Sequence, residues 1–282
     1  MDEWLKQFDL PIGDWVESGV IWVQDNLTPL LDGIAAVIGF LTDAFEASLL
    51  FFPAWLLALA LIALSTWRVG WAFGLFAVLA LGTLIGMGLW EETVQTLALV
   101  LAATTVALII GLPLGIAMAR SDLVETLVRP VLDLMQTMPP FVYLIPAAIF
   151  FGLGQVPGAI ATVVFAMPPA VRLTNLGIRQ VDREQVEAGL AFGCTRRQLL
   201  TKVQLPLAMP SIMAGVNQTI MLALSMVVIA SMIGAGGLGN TVLTGIQRLD
   251  VGLGFEGGLG VVILAILLDR ITQSFAPKRR GG

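Results

Sequence analysis

The chain has 282 residues, of which 57% are hydrophobic and only 12% charged; an average soluble domain carries about a quarter charged residues, so the composition belongs in a lipid bilayer. There is no histidine and a single cysteine, Cys194, which removes the commonest general base and metal ligand and excludes an intrachain disulfide or a thiolate metal cage. The net charge of −5 argues against nucleic acid as a partner.

The first ten positions include Asp2, Glu3, Lys6 and Asp9, where a cleavable leader needs a basic start and an apolar run; membrane insertion is therefore expected to use internal segments. Residues 1–46 hold nine acidic residues against one lysine, together with Trp4, Trp15 and Trp22. Leu27, Leu30, Leu31, Ile34, Ile38, Leu41 and Phe45 recur at three- and four-residue spacing, and Asp25, Thr28, Asp32, Asp43 and Glu46 collect on the other side. This pattern predicts an amphipathic helix with an acidic face, a solvated scaffold lying on the membrane and too charged to span it.

Seven apolar stretches follow, at 47–65, 69–90, 93–119, 137–153, 156–173, 212–234 and 257–272. Together they predict an all-α integral membrane protein of about seven transmembrane helices. Pro53, Pro113, Pro146 and Pro168 would damage soluble helices, but membrane helices accept proline because neighbours re-satisfy the freed backbone groups. With seven spans and a cytoplasmic C-terminus, thirteen Lys and Arg residues fall inside, among them Arg68, Arg120, Arg179, Arg196 and Arg270, and only Lys6 and Arg248 fall outside. The positive-inside rule then predicts the N-terminus out and the C-terminus in.

The spans contain almost no ionisable group, whereas ion-driven transporters bury carboxylates, histidines or lysines. Asp269 and Arg270 sit at a cytoplasmic end, where snorkelling is the simple account. The polar content is amide and hydroxyl: Gln95, Thr104, Thr105, Asn217, Gln218, Thr219 and Ser225. Such groups usually make interhelical hydrogen bonds of about 1 kcal/mol or less. No internal repeat of the kind common in secondary transporters is visible. A Walker A loop needs Gly-Lys-Ser/Thr, and the three lysines follow Leu5, Thr201 and Pro277. ATP hydrolysis is therefore not expected in this chain, and with no clustered carboxylates in the spans no other catalysis is either.

The longest cytoplasmic stretch, 174–211, reads TNLGIRQVDREQVEAGLAFGCTRRQLLTKVQLPLAMPS. Asp182 is placed to cap a helix starting at Arg183, Gly193 to interrupt it, and Thr195 to cap a second helix through Arg196, Leu199, Leu200 and Val203. Pro206 and Pro210 are then expected to break the chain before it re-enters the membrane. On spacing alone the segment is either an ordinary solvated loop or a rigid two-helix knob. Cys194 is expected as a free thiol on this loop.

Glu187-Ala188-Gly189, three residues, Gly193, nine residues, then Val203-Gln204-Leu205-Pro206 resembles the EAA loop of ABC importer permeases, with Gly189 and Val203 as mild departures. Further stretches, LDLMQTMPPFVYLIP (132–146), PPAVRLTNLGIRQV (168–181), NQTIMLALSMVVIASMIGAGGLG (217–239), GIQRLDVGLGFEGGL (245–259) and LPIGDW (10–15), are similar to the permeases of the glycine betaine/L-proline osmoprotectant group. The resemblance implies a type I ABC importer core at 93–275 with its coupling loop at about 182–206. It also implies an N-terminal scaffold at 1–46, two accessory helices at 47–92 and a basic cytoplasmic tail at 276–282. In that family the loop docks on a separate ATP-binding subunit that holds ATP and Mg, so no cofactor is implied in this chain. The other implied partners are an extracytoplasmic substrate-binding protein, a second copy of the chain and the lipid bilayer of the bacterial inner membrane.

The function implied is import of a compatible solute such as glycine betaine, proline betaine or proline. Another quaternary ammonium solute, such as choline or carnitine, is the alternative. A channel or a secondary transporter is more remote, because neither explains a helix-corner-helix loop. Asn217, Gln218 and Ser225 lie on the span after the loop, and residues 218 and 225 share a helix face. They either line the dimer's central path or simply pack helices.

Overall fold

The computed structural model describes residues 11–275, and helix is the only regular structure among them. In chain order the helices are α1 (Ile12–Leu50), α2 (Ala54–Arg68), α3 (Trp71–Gly86), α4 (Trp90–Arg120), α5 (Asp122–Thr137), α6 (Pro140–Phe151), α7 (Gln155–Arg179) and α8 (Arg183–Ala191). Then come α9 (Arg196–Leu199), a π-helical turn (Leu200–Gln204), α10 (Leu205–Ser231), α11 (Gly237–Arg248) and α12 (Val251–Gln273). Residues 1–10 and the expected basic tail at 276–282 lie outside the described residues.

Each of the seven apolar stretches coincides with a helix, but the ends move. By length and composition five runs can cross a membrane: α1, α4, α7, the continuous Arg196–Ser231 run and α12. The α5–α6 pair, bent by 100°, makes a sixth if it is one broken span. The stretches 47–65 and 69–90 shorten to α2 and α3, of 15 and 16 residues. Pro53 heads α2, and the left-handed Gly88 (φ 72°) ends the turn after α3. Proline disfavours helical backbone in the residue before it, so α1 and α2 cannot fuse.

The N-terminal helix differs from the expected surface scaffold. It continues past 46 to Leu50 and is kinked at Leu27 (φ −114°, ψ 16°), two residues before Pro29, whose ring disturbs the preceding turn. After the kink it is docked on the core. Gln155 Nε2 donates to the Glu46 carboxylate at 3.1 Å, and Ile38 is buried in one cluster with Leu99, Val100 and Ala159. Leu30, Ile34 and Val37 face Ile110 and Ile160 across an apolar groove of about 460 Å³. Asp32 and Asp43 stay on the exposed side. The acidic stripe therefore does not prevent this half from packing against α4 and α7.

The centre of the fold is α7, which packs most extensively on α10 and α4. Lipid supplies no hydrophobic drive between helices, so close van der Waals fit has to supply it, and small residues allow that approach. A Cβ on Gly115 of α4 would lie 2.6 Å from the Val171 carbonyl oxygen of α7, and one on Gly177 of α7 would lie 2.7 Å from Ser211 Cβ of α10. Pro168 and Pro169 sit inside α7 without ending it. Around this centre, α2 and α3 pack on α12 through Ala58, Ala77, Leu81, Leu84, Ile263 and Leu267. Arg68, read from sequence only as an inside charge, donates to the Ser274 carbonyl at 3.0 Å and lies 4.0 Å over the Phe275 ring.

Two segments read as connections are helical. The stretch 120–136 is mostly α5, whose Val124, Val128, Leu132 and Met135 pack on Met118 and Val171. It meets α6 at an elbow where Pro139 is extended (φ −56°, ψ 137°) and the Tyr143 hydroxyl donates back to the Met135 carbonyl at 2.6 Å. The stretch 235–256 contains α11, whose first N–H groups are satisfied from α4. Gly237 N–H donates to Gln95 Oε1 at 3.2 Å and Leu238 N–H to Thr96 Oγ1 at 2.8 Å.

Replacing Gly115 by Val puts three carbons where the Val171 carbonyl and Thr174 now sit. The expected loss is about 1–3 kcal/mol or more, the usual range for overpacking a core. It is read as a lower thermal midpoint of the detergent-solubilised protein; Gly82→Val, at a position with open space around it, should leave the midpoint close to the parent value.

Candidate functional site

The segment 182–206 folds as two helices about a tight corner. Asp182 holds the position before α8 with extended backbone (φ −54°, ψ 130°), but its side chain makes no capping hydrogen bond, contrary to expectation. The corner closes α8 through a Schellman pair: Cys194 N–H donates to the Gly189 carbonyl at 3.1 Å and Gly193 N–H to the Leu190 carbonyl at 2.9 Å. That arrangement needs a left-handed residue, and Gly193 supplies it with φ 79°. Thr195 then caps α9 in a capping box: its Oγ1 accepts the Gln198 N–H at 3.3 Å, and Gln198 Oε1 accepts the Thr195 N–H at 2.9 Å.

The expected break at Pro206 and Pro210 does not occur, and α9, the π turn and α10 form one continuous helical run. Proline lacks an N–H and its ring crowds the carbonyl four residues back. The π turn widens the spiral just ahead of it, and Leu205 N–H donates to the Leu200 carbonyl five residues back. Pro206 thus sits in the first turn of α10, where it is tolerated.

Of the residues matching the EAA pattern, Glu187 and Ala188 are exposed, Gly189 is buried, Val203 and Leu205 are half-buried and Pro206 is exposed. Gly189 has a packing reason: a Cβ there would come 2.9 Å from Leu199 Cδ1 of the facing helix. The base of the knob is apolar, with Ile178, Leu200, Ala208 and Ile212 buried against Leu112, Ile116 and Ala119 of α4. Its tip is not: Phe192 is 89% exposed and Leu190 is 51% exposed. Sequence reasoning passed over these two. The available signal was an aromatic residue in a polar loop where no helical period places it toward a core. Cys194 is a half-buried free thiol beside the corner.

The three residues proposed for a translocation path separate. Gln218 and Ser225 are exposed on one face of α10, together with Ala214 and Met221. Asn217 is half-buried and turned toward α12, where its Nδ2 donates to Asp269 Oδ1 at 2.7 Å. Asp269 also accepts from Gln273 Nε2 at 2.7 Å, so it is held against α10 and does not snorkel. Hydroxyls expected to bond between helices mostly bond within their own: Thr219 and Ser225 donate to the carbonyls of Gly215 and Met221, four residues back, at 3.0 and 2.9 Å.

This arrangement of spans and loop has counterparts. Residues 111–281 match the model of the binding-protein-dependent transport system inner membrane component. The chain belongs to that family. It is 50% identical over 266 residues to the Escherichia coli glycine betaine/proline betaine transport system permease protein ProW, covering 94% of this chain and 75% of that protein. It is also 50% identical over 278 residues to the Listeria monocytogenes glycine betaine/carnitine transport permease protein GbuB, covering 96% of this chain and 97% of the relative. An inward-facing structure of the MetNI methionine ABC transporter shares the fold, with a TM-score of 0.58 at 24% identity, over 67% of this chain and 96% of that one. The protein is thus an ABC importer permease with the type I fold.

The split among the path residues has a measurable consequence. Asn217→Leu removes one of the two donors to Asp269 Oδ1 and, with Gln273 still donating, should cost about 0.5–1.5 kcal/mol of stability, the net worth of one hydrogen bond. Gln218→Leu and Ser225→Leu, on the exposed face, should leave the thermal midpoint unchanged while altering uptake if that face lines the path.

Proposed function

We propose that the chain is the permease subunit of an ATP-driven, binding-protein-dependent importer of compatible solutes, glycine betaine or proline betaine first among them. The observation that carries the reading is the Glu187–Pro206 knob, a capped helix pair with a left-handed glycine corner, an apolar base and an exposed Phe192 at its tip. An aromatic side chain held out of a rigid corner is suited to a groove on a partner, and here the partner is a separate subunit that binds ATP and Mg. The names of the relatives support the solute class. The carnitine in the name of the Listeria relative supports a second reading in which carnitine or another quaternary ammonium compound is carried.

Two copies of the chain enclose the path between them, with the Gln218–Ser225 face of α10 toward it, and a binding protein delivers solute from outside. The coupling knob and the C-terminus face the cytoplasm of a bacterial inner membrane, in keeping with Arg183, Arg196, Arg197, Lys202 and Arg270 on that side. The direct test is uptake of labelled glycine betaine, proline betaine, proline and carnitine into vesicles holding the permease, the ATPase and the binding protein. Uptake should require both ATP and the binding protein; uptake that persists without ATP would point to a secondary transporter or channel.

The corner is tested by Gly193→Val. Nothing lies within 4 Å of a Cβ at 193, so the cost is backbone strain alone, about 1–2 kcal/mol for a β-branched residue forced left-handed. Membrane insertion should survive, while solute-stimulated hydrolysis and uptake fall together. Parent-level transport by an assembled Gly193→Val complex would remove this corner from the coupling route. A membrane-impermeant maleimide should reach Cys194 only from the cytoplasmic face, and less readily once the ATPase is bound.

A further inference from the structure

Arg179 is the last residue of α7, four positions before Arg183, where α8 begins. Its guanidinium joins three other places in the chain. Nη2 lies 2.7 Å from Asp122 Oδ1 and 3.0 Å from Glu125 Oε2, both in the first turn of α5. The same nitrogen donates to the Met118 carbonyl in the last turn of α4 at 2.8 Å, and Nε donates to Asn175 Oδ1 at 3.0 Å. Asn175 in turn donates to the second Glu125 oxygen at 3.1 Å. A planar fork with five donors can hold such a set, and a lysine cannot. The ends of α4 and α7 both present orphan carbonyls and a negative dipole end, which favour a cation at this spot.

Arg179 also borders the underside of the coupling knob. It lines a cavity of about 340 Å³ with Ala119, Arg183, Val186, Glu187 and Gln204, and on its other side a cavity of about 260 Å³ with Glu125, Asp133 and Arg172. The first cavity is walled by α8, the second by α5. Through α5 the guanidinium reaches the elbow at Pro139 and the membrane-embedded α6.

We propose that Arg179 is a positioning residue that transmits displacement of the coupling helix α8 to the broken helix pair α5–α6, so that movement at the ATPase contact bends or straightens the elbow. The inference rests on the proposed coupling role of the knob. Arg179 is ion-paired to α5 and lines one cavity with Arg183, Val186 and Glu187 of α8, and α8 and α5 share no hydrogen bond or ion pair of their own among the described residues. The neighbouring pair Arg172–Asp133, at 2.6 Å, joins α7 to α5 as well but lies two turns further from α8. It therefore serves as the control for simple loss of an ion pair between the same helices.

The experiment uses the assembled complex of permease, ATPase and binding protein in vesicles, with glycine betaine as solute. Arg179→Gln, Arg179→Lys and Arg172→Gln are compared for complex yield, thermal midpoint and solute imported per ATP hydrolysed. Arg179→Gln and Arg179→Lys should lower that ratio by about tenfold, the upper part of the range for residues that carry coupling between sites, at parent complex yield. Arg172→Gln should leave it within about twofold. A second readout places spin labels on Cys194, the only cysteine, and on Thr126→Cys of α5. Nucleotide binding should leave their distance nearly unchanged in the parent, where the two helices move together, and change it in either Arg179 variant.

An unchanged ratio and distance response in the Arg179 variants overturns the inference. So does a parallel fall of yield, hydrolysis and uptake in the Arg179 and Arg172 variants, which is the mark of a merely structural ion pair. If Arg179→Gln does not assemble, Arg179→Lys is read by the same criteria. Parent-level transport by Gly193→Val would instead sink the coupling role of the knob itself, whereas loss in Gly193→Val with none in Arg179→Gln or Arg179→Lys sinks this inference alone.

Discussion

The backbone-to-backbone approach of α7 to α4 on one side and to α10 on the other is the constraint on which the rest of the structure depends. Where a Cβ at Gly115 or Gly177 would intrude within 3 Å of the facing helix, glycine lets the helices touch along their main chains. In a bilayer this contact replaces the hydrophobic effect as the source of cohesion. Because α4 and α10 are both pressed on α7, the base of the helix-corner-helix knob is buried at the ends of these three helices against Leu112 and Ile116. A looser central contact would leave the knob on a flexible stalk.

The polar groups of the spans follow from the same scarcity of water. Thr42, Thr93, Thr162, Thr219 and Ser225 return their hydroxyls to the carbonyl one turn back, so they need no partner on another helix. The few side chains that do reach across an interface tie an element that packing alone would leave free. Gln95 and Thr96 hold the start of α11, Asn217 and Asp269 join α10 to α12, and Gln155 and Glu46 join α7 to α1. The ion pairs gather where α4 and α7 end and α5 runs alongside, and there Arg179 collects two carboxylates, an amide and a backbone carbonyl. Charge there costs less than at mid-bilayer and still lies close enough to the spans to move them.

These features combine into a lever. The knob is stiff because both of its helices are capped, by the Schellman closure at Gly193 and by the Thr195–Gln198 box. Its helical run continues through a π turn into α10 without a break, and α10 carries Gln218 and Ser225. On the opposite side the knob shares a cavity with Arg179, which is ion-paired to α5.

Apolar runs of 16–27 residues can hardly be anything but membrane helices, so the class of the protein was legible from composition and patterning alone. The spacing from Glu187 to Pro206 stood out through its resemblance to the EAA loop; helical spacing alone left a solvated loop and a two-helix knob both open, with Gly193 and Thr195 as the readable corner and cap. The ends of the helices were less legible. Pro53 and Gly88 cut two stretches short, and Pro206, which read as a break, is absorbed by a π turn that no single residue announces. The docking of α1 escaped the sequence because an acidic stripe on a helix says nothing about what its apolar side meets. The parting of Asn217 from Gln218 and the gathering of Asp122, Glu125 and Asn175 around Arg179 join positions up to 57 residues apart in the chain. Periodicity fixes which residues share a face of one helix; which helix that face meets is settled only by how the glycine contacts set the helices against each other.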